Sequence, residues 1–365
     1  MSEPGAKVPC RAGQSPDRWG PKALRIRTLR GHDEGMAQVD LALATECAAL
    51  APSVHNTQPW RLERRSNVLE VHADRTRQLQ FLDPDARQLH ISCGIAAEFA
   101  RLAVRSQQFS CRLELLPNPA DPNLLVRLTA GDTEPAAEGE RQLVEAMPRR
   151  YTDRQPYDDQ PLPDDLVERL RRAAERAGGW LTAVNPDDRV ALSAILEDAE
   201  RAEAADPAYA EELARWTHPS KAKDGLNPQS VSAPWPADVV TDVPLRDFSG
   251  HAEHPQAGPG EPPRVQRDTV VVLGTADDDP AAWLTAGRVL ASVLLTATAS
   301  YAVAQPLGPG TDFPAARTRL RRELRLVGHP QFVLRLGYGR DRPSTGRRPA
   351  PNSATAGSGS EQMDG

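Results

Sequence analysis

The ten residues Ala51-Pro52-Ser53-Val54-His55-Asn56-Thr57-Gln58-Pro59-Trp60 restrict the fold of this chain more than any other stretch. Two prolines lock the backbone at either end, so neither a helix nor an unbroken strand can run through. A helix-like run must stop before Pro52, and an alternating, strand-like run begins at Trp60. Between them sit side chains that both donate and accept hydrogen bonds, Asn56 and Gln58, beside the broad apolar face of Trp60. Such a turn suits a flat ligand with polar edges, for example a flavin. A structural turn ending on a core tryptophan is the simpler alternative.

The chain has 365 residues, enough for two average domains or one large double-layered unit. Its 34 prolines cluster in a few stretches, which points to loops or tails there. The net charge of −6 is well mixed and offers no footprint for nucleic acid or an anionic membrane. Cys10, Cys47, Cys93 and Cys111 form no CxxC pair and share no zinc-like spacing with histidine. They read as reduced thiols in a cytoplasmic protein, with no metal. No apolar run is expected to be long enough to cross a bilayer, and no signal peptide is visible.

Residues 1–35 lack a sustained period and read as a disordered extension, as does the Pro/Ser/Gly-rich tail 349–365. Between them two units are expected, 36–140 and 141–348. Helical patterns run over 39–50, 92–105, 141–147, 166–177, 190–205 and 281–303, with Ser92 as the N-cap of the second. Strands are expected at 60–62, 68–73, 111–115, 124–128, 270–274 and 331–338. Residues from about 216 to 265, with Trp216, Trp235 and Phe248, are too long for an ordinary connection and read as a lid. The order of helix, turn, strands and apolar helix recurs loosely, which suggests two halves packed like the protomers of a dimer.

Three further clusters carry possible chemistry. In Arg149-Arg150-Tyr151-Thr152-Asp153-Arg154, alternate residues Arg150, Thr152 and Arg154 would face one way in an extended segment. Guanidinium forks and a hydroxyl suit phosphate oxygens, although a solvated basic loop is the usual alternative. Gly346-Arg347-Arg348-Pro349 has the same ambiguity. Gln305-Pro306-Leu307-Gly308 follows the apolar helix; it is either a helix stop or a backbone that approaches a ligand closely. Ser92-Cys93-Gly94 has no base in reach by any motif and reads as a cap and a buried thiol. Gly-rich dinucleotide and phosphate loops are absent.

These motifs together resemble the nitroreductase superfamily, and within it the Acg-type NAD(P)H nitroreductases, over roughly Ala42 to Pro349. The specific block is Ala51–Arg61. Ala73–Leu79, Leu89–Gly94, Arg149–Arg154, Val243–Phe248, His329-Pro330-Gln331 and Leu334–Gly339 follow it. The resemblance implies an α+β fold, a mixed sheet flanked by helices, with two pseudo-symmetric halves corresponding to a homodimer. The implied state is a pseudo-dimeric monomer or a weak homodimer. It also implies one complete FMN site and one degenerate one. Pro52, Ser53 and Asn56 would line the flavin ring. Arg149, Arg150, Thr152, Arg154 and Arg347 or Arg348 would hold the phosphate, and Leu307 or Gly308 would meet flavin N5 through its backbone. The implied activity passes reducing equivalents from NAD(P)H through FMN to a nitroaromatic, quinone or similar acceptor. A lid that shuts out nicotinamide would instead make the chain a non-catalytic, FMN-sequestering stress protein.

Overall fold

The computed structural model describes residues 38–217, 222–227, 239–243, 264–266, 268–339 and 345–350. The expected extension 1–35, most of the tail and most of the stretch 216–265, with Trp235 and Phe248, lie outside the described residues.

Strands β1 (Trp60–Arg65), β2 (Val68–Ala73), β3 (Phe109–Leu115) and β4 (Leu124–Thr133) form one sheet in the order β1-β2-β4-β3. Strands β5 (Trp180–Ala183), β8 (Thr269–Thr275), β9 (Val303–Pro306) and β10 (His329–Gly337) form a second in the order β5-β8-β10-β9. The two orders are the same when strands are counted within each sheet. Every ladder in both is antiparallel. Among the described residues, parallel pairing is confined to two isolated bridges, Thr152 with Ala304 and Thr217 with Leu226, and to the short pair β6 (Val239–Val240) and β7 (Arg264–Val265). The expected mixed sheet is therefore mixed only at the edge where Thr152 meets β9.

Helices surround the sheets: α1 (Leu41–Ala49), α2 (Arg87–Ser106), α3 (Glu140–Ala146), α4 (Asp164–Arg176), α5 (Pro186–Ala204), α6 (Pro207–Arg215), α7 (Pro280–Ala299) and α8 (Pro314–Glu323). In each sheet a 20-residue helix, α2 or α7, connects the second strand to the third. Asp279 caps α7 by accepting from the Ala282 N–H at 2.8 Å, and Pro280 occupies its first position. Helix α2 starts earlier than its apolar period suggests. Asp83 accepts from the Gln88 and Leu89 N–H groups, both at 2.8 Å. Ser92 is thus inside the helix, not its cap, and its hydroxyl donates to the Gln88 carbonyl at 2.7 Å.

Helices α2 and α7 cross at two glycines. A Cβ on Gly94 would lie 2.2 Å from the Leu284 carbonyl oxygen, and one on Gly287 would lie 2.1 Å from that of Ile91. Only residues without a side chain let the two backbones meet this closely. The crossing joins the halves into one core, since Leu69, Phe99 and Leu128 belong to the same apolar cluster as Val271, Leu284 and Val293. A second cluster, including Leu192, Leu196, Leu307, Leu320 and Val333, fills the space beneath α5 and α8.

Contrary to the sequence expectation, α7 is by length and mean hydropathy (1.3) apolar enough to cross a membrane. Yet 56% of that window is buried inside the molecule, and Arg288 on its flank pairs with buried Glu98 of α2 at 3.1 Å. It is the central core helix. The long stretch after 216 is also not wholly structureless, because β6 and β7 pair within it. Helices α6 and α8 and strands β5 and β9 were not expected from the sequence. They are short, or they lack the period that packing on one face produces.

Candidate functional site

The Ala51–Trp60 turn is held in a strained backbone. His55, Asn56 and Gln58 have φ of 43°, 54° and 50°, the left-handed region that side chains disfavour. Ser53 holds the turn closed, its Oγ accepting from the Gln58 N–H at 2.8 Å. The Thr57 hydroxyl donates to Val54 O at 2.9 Å. Strain of this kind persists where surrounding bonds over-determine it, and it concentrates at ligand sites. Both amides are engaged. Asn56 Nδ2 donates to the carbonyls of Gly225 and Gly346, each at 3.2 Å. Gln58 Nε2 donates to Lys223 O at 2.8 Å, and its Oε1 accepts from the Arg348 N–H at 2.8 Å. The turn therefore fastens residues 222–227 and 345–348 to its rim. The buried Asn56 Oδ1 is left without a hydrogen-bond partner among the described residues.

A cavity of about 360 Å³ opens beside this turn. Pro52, Ser53 and Asn56 line it from the first half; Arg150, Thr152, Arg154, Gly308 and Arg347 line it from the second. Ile91 and Ile95 of α2 and Leu290 and Leu294 of α7 make an apolar floor next to the glycine crossing. The basic turn reaches this cavity because Asp153 N–H donates to Ala304 O at 3.1 Å, extending the edge of the second sheet beyond β9.

Two guanidiniums dominate the electrostatics. Arg150 is 5% exposed, and its Nε has no hydrogen-bond partner among the described residues. Burial, and then the nearby charge of Arg347, push its pKa down to about 9. Burial also pushes Arg347 down to about 10. Among the described residues Arg347 donates only to uncharged oxygens: Ala51 O at 3.1 Å, Gly346 O at 3.0 Å and the carbonyl and hydroxyl of Thr345. Among the described residues no carboxylate pairs with either cation. A buried cation with a half-buried one beside it and no counter-ion is unfavourable unless an anion joins them.

Three other expected residues are placed elsewhere. Arg149 does not line the cavity; its guanidinium lies 5.7 Å from the Tyr301 ring centroid. Arg348 clamps the turn from behind, donating through Nη2 to Gln58 O at 2.5 Å and Trp60 O at 3.3 Å. Leu307 is buried in the second core cluster, and its N–H donates to Val333 O at 2.9 Å, so that donor belongs to the sheet. Gln305, Pro306 and Gly308 are the members of that segment on the cavity wall.

Gln88, Gln155 and Asp312 on the wall were not singled out by the sequence, and Gln305 was singled out only within the segment Gln305–Gly308. Gln88 and Asp312 face each other across one end, Nε2 to Oδ1 at 2.7 Å. Gln155 and Gln305 are positioned by fully buried Arg335, which donates to Gln155 O at 3.0 Å and to Gln305 Oε1 at 2.5 Å. Arg335 also pairs with Asp268 at 2.5 Å and lies 3.8 Å above the Tyr157 ring. An arginine in an apolar strand pattern, Val333-Leu334-Arg335-Leu336, was the available signal.

No family model matches the chain. It is 31% identical over 296 residues to the protein named "Putative NAD(P)H nitroreductase Rv3131" of Mycobacterium tuberculosis, covering 80% of this chain and 83% of that one. It is 28% identical over 313 residues to the protein of the same organism named "Putative NAD(P)H nitroreductase acg", covering 84% and 92%. A solved nitroreductase with bound FMN from Desulfitobacterium hafniense aligns over 60% of this chain and 98% of its own, at 13% identity and a TM-score of 0.36. That score is too low to carry an argument. The sequence identity is not, and by it the chain belongs to the Acg-type NAD(P)H nitroreductase family.

Proposed function

We propose that the chain is an FMN-dependent oxidoreductase of nitroreductase type, using the cavity between its two halves. The observation that carries this is the buried guanidinium of Arg150 beside the half-buried one of Arg347, facing the Asn56 turn across one cavity and paired with no carboxylate among the described residues. A phosphomonoester dianion satisfies both charges, with Thr152 and Arg154 beside them. At the other end, Asn56 Oδ1 is a buried acceptor that would take the N–H of a heterocycle edge. When bound, FMN supplies two-electron redox chemistry between NAD(P)H and a nitroaromatic, quinone or similar acceptor. The chain binds and orients it. The apolar floor of Ile91, Ile95, Leu290 and Leu294 excludes water from the ring, and Arg335 holds Gln155 and Gln305 at the wall.

The halves correspond, in this reading, to the two protomers of a nitroreductase dimer, in a cytoplasmic protein with one working site. The shared strand order and the paired 20-residue helices support it. A second reading, a protein that holds FMN without turning over, is favoured by the fastening of residues 222–227 and 345–348 to the cavity rim. The deciding experiment is the visible spectrum of the purified protein under anaerobic conditions. Flavin bands that bleach on adding NADPH support the enzyme, whereas bleaching by dithionite alone supports retention without turnover. A protein that takes up no FMN on reconstitution would overturn both.

A further inference from the structure

On the outer face of the first sheet, Glu63 of β1 and Glu70 of β2 stand directly opposite each other in the ladder. Like charges in that position repel. Their outer oxygens are answered by arginines: Arg61 Nε lies 3.0 Å from Glu63 Oε1, and Arg127 Nε lies 2.8 Å from Glu70 Oε1. Their inner oxygens are turned toward His72, two residues along β2 on the same face; that of Glu63 also has exposed Arg65 Nη2 at 3.6 Å, which a bound ion would displace. His72 Nε2 is 3.5 Å from Glu70 Oε2 and 4.0 Å from Glu63 Oε2. The imidazole is only 7% exposed, and neither ring nitrogen has a hydrogen-bond partner among the described residues. A buried ring whose nitrogens make no hydrogen bond is costly.

One ligand atom from each of the three residues falls within 4.8 Å of the others. A tetrahedral ion with bonds of about 2.0–2.1 Å needs its ligand atoms about 3.3 Å apart. Small rotamer shifts of the two glutamates, both partly exposed, close that gap. On the far side of the ring, Asp121 Oδ2 lies 4.0 Å from Nδ1, where a carboxylate commonly fixes the tautomer of a metal-bound histidine.

We propose that Glu63, Glu70 and His72 bind a divalent transition metal of the zinc class, with Asp121 orienting the imidazole. An imidazole among carboxylates favours such an ion over magnesium or calcium. The site lies at the base of the β1–β2 hairpin, whose ends Trp60 and Ala73 adjoin the strained turn, and a bound ion would tie the two strands together there. This inference is independent of the flavin proposal.

The test uses full-length protein stripped with a chelator and titrated with Co²⁺, followed by its visible absorption bands. Zn²⁺ is titrated in parallel, followed by thermal unfolding. The expected result is one equivalent of Co²⁺ per chain and a rise in Tm with Zn²⁺. In His72→Gln and in Glu63→Gln, affinity should fall at least about tenfold. Glu63 is half-exposed, so its variant keeps the test valid if the His72 variant does not fold. Unchanged Co²⁺ binding in either folded variant, or no band in the wild type, would overturn the site.

Discussion

Arg150 is a cation where a lone cation raises the free energy of the fold, and this makes it the most informative single side chain. Replacing it with alanine should weaken FMN binding by about 1.5–3 kcal/mol through loss of a charged hydrogen bond. Flavin fluorescence quenching in a titration of apo-protein reads this directly. Arg149→Ala, whose guanidinium lies over Tyr301, should leave the affinity within about a factor of two, as surface changes usually do. The depressed pKa values give a second test. Arg150 is charged below about pH 9 and loses its proton above it. Affinity for sulfate, which does not titrate in this range, should be flat at lower pH. It should fall as pH rises past about 9, by up to tenfold per unit. In Arg347→Ala the fall should move to higher pH, because one cause of the depression is gone. Isothermal calorimetry at stepped pH checks both, and a sulfate affinity that rises above pH 9 would reverse the assignment. Arg150 and Arg154 were legible in the sequence as alternate residues of an extended segment. That Arg347 joins them and Arg348 does not was illegible, since adjacent arginines differ only in where the chain turns them.

At the level of elements, the crossing of α2 and α7 governs the cavity floor. Gly94→Ala puts a methyl group against the Leu284 carbonyl, a backbone atom that cannot swing aside. We expect a loss of about 3 kcal/mol, toward the upper end for overpacking, visible as a lower urea midpoint at an unchanged slope. The apolar periods of both helices were readable, because each buries one or more faces continuously. The start of α2 was not, because its cap comes from Asp83, three residues before the Ala86 N-cap and outside the helix pattern. Strand β9 was hidden for a related reason. Its few residues follow an apolar helix without a polar break, and only pairing with β10 makes them a strand. That pairing continues through the Leu307 N–H, which is why Gly308 and not Leu307 is left on the cavity wall.

On the scale of the whole molecule, residues far apart in sequence meet at one rim. Gln58 holds Lys223 and Arg348, which lie 165 and 290 positions away. Gln58→Ala removes those bonds and leaves Arg150 and Arg347 in place. Limited trypsinolysis after Lys223 should then accelerate several-fold, in line with local opening whose free energy falls by about one hydrogen bond, roughly 1 kcal/mol. Mass spectrometry of the early fragments reads the outcome, and an unchanged cleavage rate would show that the fastening does not depend on this amide.

By itself the sequence determined the main helices and strands and the chemistry of several cavity-lining groups. Proline positions stopped helices, apolar periods marked the core helices, and amides with guanidiniums marked polar recognition. These are local properties, carried by neighbours along the chain. Tertiary structure alone decided which guanidiniums share a cavity, that the Asn56 N–H groups go to two distant carbonyls, and that His72 sits beside facing glutamates without a hydrogen bond among the described residues. Those outcomes depend on strand register and on the closeness of a glycine crossing. Both are set by packing energies summed over both halves of the chain, and no local pattern contains them.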